Sequence, residues 1–325
     1  MGRLSAANDC RAISICNRMK TLLVKINDLE MSELTSLIII ICFELTMIGK
    51  FISILWRVFF DNQLSMILYR LEKIREKMIR LNLVVPMKMN WFFIIGLIVH
   101  VIANIITPLL WVKIFVGKME IKDMISSFVL NVCQCGSLYE YILLILYIQW
   151  MVFMINENVS ERKSCFSTFR DMYLEVLECL NDVNRSIYGL PVIVVFISGN
   201  FCEIINMIYK NLLFPREYMK DRYYFVFTIT GLLLRTVNLI ILYNVGHITE
   251  KEINRMNLVL HQRSVIERNP RIKRQIKIFI LRRLHEHYRF ELYGICQMNL
   301  RHLIILLNKA FAYTIIQILF KLNKQ

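Results

Sequence analysis

The chain has 325 residues, of which 56% are hydrophobic, and its mean hydropathy is +0.48. Soluble domains contain about 45–50% apolar residues even when glycine is counted, so an ordinary soluble domain is excluded. The formal net charge is +15. Lys and Arg gather in loops between apolar blocks, which positive-inside topology explains better than nucleic-acid binding does.

Six apolar segments are long enough to cross a bilayer, which needs about 20 residues. In chain order they are 36–58, 90–111, 126–155, 188–209, 223–245 and 302–320. Trp and Tyr mark many of their ends, as in the interfacial belts of membrane helices. We therefore expect an all-α polytopic membrane protein with six spanning helices.

The loops predict the orientation of these helices. Loops 59–89 and 246–301 are rich in Lys and Arg, whereas loops 113–125 and 210–222 are short and carry fewer. Loop 157–187 is long and net acidic, and alternation assigns it to the same side as the two basic loops. We expect the three long loops in the cytosol and the C-terminus outside the cell, because loops rich in Lys and Arg stay inside.

Each long loop also contains apolar residues at helical spacing, which predicts an amphipathic helix. The three apolar faces consist of Leu64, Ile67, Leu68, Leu71, Ile74 and Met78; of Phe166, Phe169, Met172, Tyr173, Val176, Leu177, Leu180 and Val183; and of Ile272, Ile276, Phe279 and Ile280. We expect these helices to pack into a common cytosolic bundle. The alternative is that they lie on the inner leaflet, which the acidic second helix disfavours.

Ionisable residues inside spans cost about 2.5–3.5 kcal/mol each on insertion scales, so each needs a partner or a function. Glu140 and Arg235 both fall near the middle of their helices, and we expect them to form an ion pair, with a ligand contact as the alternative. Polar residues on the second and fourth spans predict a ligand cavity, with polar packing between helices as the alternative. They are Asn104, Thr107, Trp111, Asn200, Glu203 and Asn206.

Metal and catalytic sites are not expected. Cys133 and Cys135 form a C-x-C inside an apolar segment, where small apolar packing residues are the simpler interpretation. His285 and His287 do not share a helix face, and no third ligand is near them in sequence. His100 is the one span residue suited to acid–base chemistry at an aqueous mouth, and it has no second such group nearby. We expect no metal, no cofactor and no enzyme activity.

The C-terminal stretch resembles the signature of the insect gustatory receptor family. The last helix of that family carries Thr-Tyr, five hydrophobic residues and Gln-Phe. Here the aligned residues are Ala310 and Phe311, then AYTII, then Gln317 and Ile318, so the spacing and the glutamine are retained and three named positions differ. The preceding LYGICQMNL is similar to the family's Cys-Gly-aromatic-Asp lead-in, with Asn299 in place of Asp.

The loop pattern extends the resemblance, since 36–320 correspond to the second to seventh helices of the family. The basic segment 1–35 would otherwise lie outside the cell, which agrees with a missing first helix. The resemblance then divides the chain into that N-terminal segment, a ligand-binding region 36–245, a cytosolic anchor 246–301, and 302–325 with the final pore-lining helix and an outer tail.

The resemblance implies a plasma-membrane channel subunit that forms homo- or hetero-tetramers and conducts cations non-selectively when a tastant binds. Bitter or aversive ligands are common in the family, and we expect one here. The implied gate is Gln317 and Ile318. Other expected pore residues are Phe311, Tyr313 and Thr314.

Two other functions stay open. The first is an odorant-receptor-type channel subunit, against which Gln317 argues. The second is a secondary transporter, which should have spans broken by Gly or Pro at mid-membrane. Here the span prolines Pro108 and Pro191 lie near helix ends.

Overall fold

The computed structural model of the chain describes residues 33–81, 94, 96, 98–103, 106, 121–161, 166–213, 222–285 and 288–322. Nearly all of these residues are helical, and the two strands among them have two residues each. The chain divides into the units Met1–Glu44 and Leu45–Gln325, and the packing described below lies within the second. The all-α class is confirmed for the described residues.

Helix α1 spans Glu33–Arg80. Its C-terminal half has a buried stripe in which apolar residues recur every three or four positions, as a helix packed on one side requires. The stripe consists of Leu64, Ile67, Leu71, Ile74 and Met78. Leu68 was expected in this face, but its side chain is 47% exposed. It follows Ile67 directly, and adjacent residues on a helix point about 100° apart.

Helices α2, Ile121–Glu161, and α5, Arg222–Ile266, pack along one another. Their contact is apolar over most of its length and becomes polar at one end. There Asn156 Nδ2 donates to the carbonyl oxygen of Glu252 at 2.9 Å and to its Oε1 at 2.8 Å. Arg255 and Glu157 form an ion pair at 2.6 Å. These polar contacts fix the axial register of the two helices.

Helix α3, Phe166–Asp182, continues through π-helical turns at Val183–Ile187 and Val192–Ser198 into α4, Gly199–Leu213. The two ends of this segment are bent by 52° relative to each other. At the bend, a Cβ on Gly189 would collide with the carbonyl oxygen of Asn184, so the turn requires glycine there.

Helix α6, Pro270–His285, begins after Asn269, whose Oδ1 accepts the Arg271 N–H at 3.0 Å. Its Phe279 meets the rings of Phe166 and Tyr173 edge-on, at centroid distances of 6.3 and 6.4 Å. The predicted apolar faces of α1, α3 and α6 thus contribute to one hydrophobic core. The three helices thus share one core as expected, and their position in the cytosol stays a prediction.

A hairpin of β1, Glu291–Leu292, and β2, Cys296–Gln297, leads into α7, Leu300–Leu322. Its turn places Tyr293 at φ 54° and Gly294 at φ 69°, and a left-handed tyrosine is uncommon. The Tyr293 N–H donates to the Asn184 carbonyl at 3.1 Å. This bond ties the hairpin to the bend between α3 and α4.

Two described helices are long and apolar enough to cross a membrane, with candidate ranges Cys135–Val159 in α2 and Val226–Ile266 in α5. A third is possible if the bent pair Phe166–Arg185 and Gly189–Ile205 counts as one span. These overlap the third, fifth and fourth predicted spans. The six-span arrangement and its orientation stay predictions. Helix α5 is continuous across position 246, the expected boundary between the ligand-binding region and the cytosolic anchor.

Candidate functional site

A largely buried ion pair joins α4 to α5. Arg235 Nε lies 2.5 Å from Glu203 Oε2, and the two side chains are 14% and 19% exposed. Charged groups with so little access to water are costly unless they are paired. Each residue therefore stabilises the charge of the other across the interface of the two helices.

A second polar contact lies beside this pair. Asn238 Nδ2 donates to Asn200 Oδ1 at 3.3 Å, and Asn200 Nδ2 donates to the Phe196 carbonyl oxygen. Asn200 precedes Glu203 by three residues and Asn238 follows Arg235 by three, so each helix presents its two residues on one face. The result is a two-rung polar ladder: Glu203 with Arg235, and Asn200 with Asn238.

A third contact extends the polar cluster to α2. Tyr139 Oη and His100 Nδ1 are 2.5 Å apart, and the rings meet edge-on at 5.9 Å. His100 lies in the helical residues 98–103 and is 5% exposed. The ring also lies within electrostatic reach of the Arg235 charge. We call His100, Tyr139, Asn200, Glu203, Arg235 and Asn238 the interhelical polar cluster.

The cluster offers an anchoring point for a ligand. Asn238 Oδ1 is buried and accepts no hydrogen bond from the described residues. A buried acceptor without a donor costs free energy, and a ligand hydroxyl or amine that donated to it would recover that cost. Such a ligand would bind between α4 and α5 at the ladder.

The expected ion pair between Glu140 and Arg235 is wrong, because Arg235 has a different partner. Its ion pair among the described residues is with Glu203. Glu140 makes other contacts and follows Tyr139 directly on α2, so the two side chains point about 100° apart around the helix. Axial depth, which the sequence indicates, does not determine which face of a helix meets which neighbour.

The other predicted ligand residues are placed unevenly. Asn200 and Glu203 belong to the cluster, as described above. Asn206 lies in α4, but its side chain is outside the described residues, as are Asn104, Thr107 and Trp111 altogether. Sequence reasoning missed Asn238 and the contact of His100 with Tyr139. Asn238 lies three residues from Arg235, and that spacing was the available signal.

The predicted pore residues lie in α7. Phe311 is 69% exposed. Tyr313, Thr314, Gln317 and Ile318 are helical, but their side chains are outside the described residues. Other apolar residues of α7 are exposed as well, namely Ile304, Ile305, Ile315, Ile316 and Leu319. A helix with this much exposed apolar surface is suited to contact lipid or another subunit.

The hairpin before α7 is held tightly against α5. A Cβ on Gly246 would lie 2.6 Å from the Met298 carbonyl oxygen and 3.2 Å from Phe290 Cδ1, so the two backbones approach closely. Glu250 Oε2 accepts the Phe290 N–H at 3.1 Å. These contacts attach the hairpin, which leads into α7, to α5.

One thiol lies at this junction. Cys296 Sγ is 3.8 Å from the Tyr243 hydroxyl. Burial raises the pKa of the Cys296 thiol above its ordinary value, and the hydrogen bond to Tyr243 opposes that shift. The thiol is therefore protonated at neutral pH.

No group of three His, Cys, Asp or Glu residues suited to a metal ion occurs in the part of the chain that the structure describes. The His285 and His287 side chains lie outside that part. Searches against protein-family models and curated proteins find no match for this chain. The gustatory receptor resemblance therefore depends on the sequence features quoted above.

Proposed function

We propose that the chain is a chemoreceptor subunit of the gustatory type, which forms a tetrameric, ligand-gated, non-selective cation channel in the plasma membrane. The long loops lie in the cytosol and the C-terminus outside the cell. The ligand is a small molecule of the bitter or aversive kind. The observation that carries the proposal is that α5 connects a buried polar cluster directly to the hairpin that begins the final helix.

The interhelical polar cluster is the proposed tastant site. It combines an ion pair, two asparagines and a His–Tyr contact within an apolar interface. Small-molecule sites typically have mostly apolar walls and a few convergent polar groups. The buried Asn238 acceptor supplies a specific point of recognition.

Helix α5 is the proposed transmission element. Arg235 in the cluster and Gly246 at the hairpin are eleven residues apart on one helix, or about 16 Å. A ligand that moves α4 against α5 therefore displaces the hairpin and the first turn of α7. Such coupling needs a ligand that binds one arrangement of the helices more tightly than the other.

The final helix is the proposed pore lining. By the resemblance, Gln317 and Ile318 form the gate, and Phe311, Tyr313 and Thr314 line the approach. A ring of glutamine amides can hydrogen-bond hydrated cations without holding them by charge. The exposed apolar residues of α7 provide surface for contacts with neighbouring subunits and lipid.

The deciding experiment is to record cation currents from cells that express the chain while candidate tastants are applied. We expect ligand-evoked current, altered rectification or leak in Gln317→Ala, and unchanged surface expression in that variant. Asn308→Ala is a matched control, because Asn308 is an exposed polar residue on the same helix. Wild-type currents in Gln317→Ala would contradict the gate assignment.

One observation favours a secondary transporter as the second candidate. The segment from α3 to α4 is bent by 52° beside Pro191, and broken helices of this kind form substrate sites in transporters. A transporter would show solute flux that saturates with concentration and no channel-like current. An odorant-receptor-type subunit would share the current and differ in its ligands.

A further inference from the structure

A polar cleft opens where α5, the hairpin and the first turns of α7 meet. Its volume is ≈ 390 Å³, within the range of small-molecule sites. Six polar residues line it, with Ile305 beside them: Glu250, Arg289, Gln297, Asn299, Arg301 and His302. No residue that lines the cleft belongs to the interhelical polar cluster.

The cleft is positively charged. Arg289 and Arg301 are exposed, and neither forms an ion pair with any residue that the structure describes. The carboxylate of the cleft, Glu250, is engaged with the Phe290 N–H at 3.1 Å. Two guanidinium groups thus face one carboxylate that lies beyond ion-pair distance of both.

Hydrogen bonds at the start of α7 order the turn that carries two of the cleft's hydrogen-bond donors, Arg301 and His302. Asn299 Oδ1 accepts the His302 N–H at 2.8 Å, and the Asn299 carbonyl accepts the Leu303 N–H at 3.1 Å. This cap fixes the first turn, which carries Arg301 and His302. Gln297 precedes it on β2 and adds an amide to the lining. The cleft therefore presents guanidinium, imidazole and amide groups from segments whose backbones are hydrogen-bonded at Phe290 and at the start of α7.

We propose that this cleft binds a phosphate group. Guanidinium forks match the oxygens of phosphate and form strong charge-assisted hydrogen bonds with them. The group has two possible sources, the headgroup of an anionic phospholipid and a free phosphorylated solute. In the proposed topology the cleft lies at the cytosolic end of the final helix, where anionic lipid is enriched. Binding itself does not depend on the proposed channel function.

The test uses the full chain in nanodiscs of phosphatidylcholine. Isothermal titration with inorganic phosphate and with glycerol 3-phosphate measures binding of free solutes. Native mass spectrometry of protein from discs containing phosphatidylglycerol measures retained anionic lipid. We expect Arg289→Gln with Arg301→Gln to weaken binding by about tenfold or more, since two charge-assisted contacts are lost. Arg289→Lys with Arg301→Lys should retain part of it.

Arg271→Gln with Arg274→Gln is the matched control, because it removes the same charge from exposed residues of α6. It should bind as the wild type does. If titration of the phosphate solutes in phosphatidylcholine discs releases heat, the cleft binds a free phosphorylated solute. If only phosphatidylglycerol is retained, the cleft binds a lipid headgroup. Absence of both signals, or equal losses in the two glutamine variants, overturns the proposal. Neither readout involves current, so a failure of the channel assignment would be seen separately.

Discussion

Glu203 Oε2 and Arg235 Nε are 2.5 Å apart at the interface of α4 and α5, with little exposure of either side chain. Three residues along each helix, Asn200 and Asn238 repeat the contact in neutral form. The two rungs fix both the axial register and the rotation of α4 on α5. The candidate ligand site therefore depends on the ion pair for its shape.

Removal of one charge of this pair should destabilise the protein. Glu203→Gln and Arg235→Gln should each destabilise the protein, by less than the roughly 3–5 kcal/mol of a fully buried pair, because each leaves a partly buried charge without its partner. The double variant should recover part of that loss, which a double-mutant cycle of unfolding in mixed micelles would measure. Glu178→Gln, at an exposed carboxylate of α3, serves as the control. If the two single losses simply add, the residues are not coupled.

The contact at Gly246 should be intolerant of a side chain. Gly246→Ala places a Cβ 2.6 Å from the Met298 carbonyl oxygen, so the hairpin must move away from α5. We expect a loss of about 1–3 kcal/mol and weaker ligand-evoked current. Gly136→Ala on α2 is the control, since nothing lies within 4 Å of its Cβ position. Equal thermal stability of the two variants would contradict the close contact.

The topology predicts opposite accessibility for two arginine positions. In a variant without native cysteines, Arg268→Cys between α5 and α6 should react with a membrane-impermeant maleimide only after permeabilisation. Arg268 is exposed in the structure, so burial would not block its labelling. Arg216→Cys, in a predicted outer loop, should react on intact cells. The reverse pattern would show that the proposed orientation is wrong, and it would contradict the gustatory receptor assignment, which depends on that orientation.

The Cys296 thiol should react slowly with alkylating reagents. Because burial raises its pKa, the reactive thiolate is scarce at pH 7 and should form at higher pH in the folded protein than after unfolding. Labelling rates of a variant that keeps only Cys296, measured from pH 7 to pH 10, test this. As pH rises, the Cys296 thiol of the unfolded chain loses its proton at a lower pH than the thiol of the folded protein. The free energy of unfolding therefore decreases as pH rises above the pKa of the unfolded thiol. If the labelling rate of the folded protein rose at a lower pH than that of the unfolded protein, the raised pKa of Cys296 would be contradicted.

Apolar periodicity predicted the helical bundle well. The buried stripe of α1 and the apolar face of α3 are nearly as expected, since residues on one side of a helix share one environment. Leu68 is the exception, because the width of a buried face depends on how close the neighbouring helix lies. Sequence spacing alone does not contain that distance.

The partner of Arg235 shows what periodicity could not supply. Glu140 and Glu203 are both acidic residues of apolar segments, and the sequence alone does not rank them. The choice depends on the rotation of α4 and α2 about their axes relative to α5, and only the packed helices determine it. The contact of His100 with Tyr139 joins residues 39 positions apart and was missed for the same reason.

The sequence by itself determined the all-α class, the apolar segments and the amphipathic faces, because helix formation and burial of one face depend on local order along the chain. The tertiary structure decided the Glu203–Arg235 pair, the ladder with Asn238, the bend at Gly189 and the contact of Gly246 with the hairpin. Each of these depends on where two distant backbones meet. Side chains that are close in space but far apart in sequence leave no periodic signal.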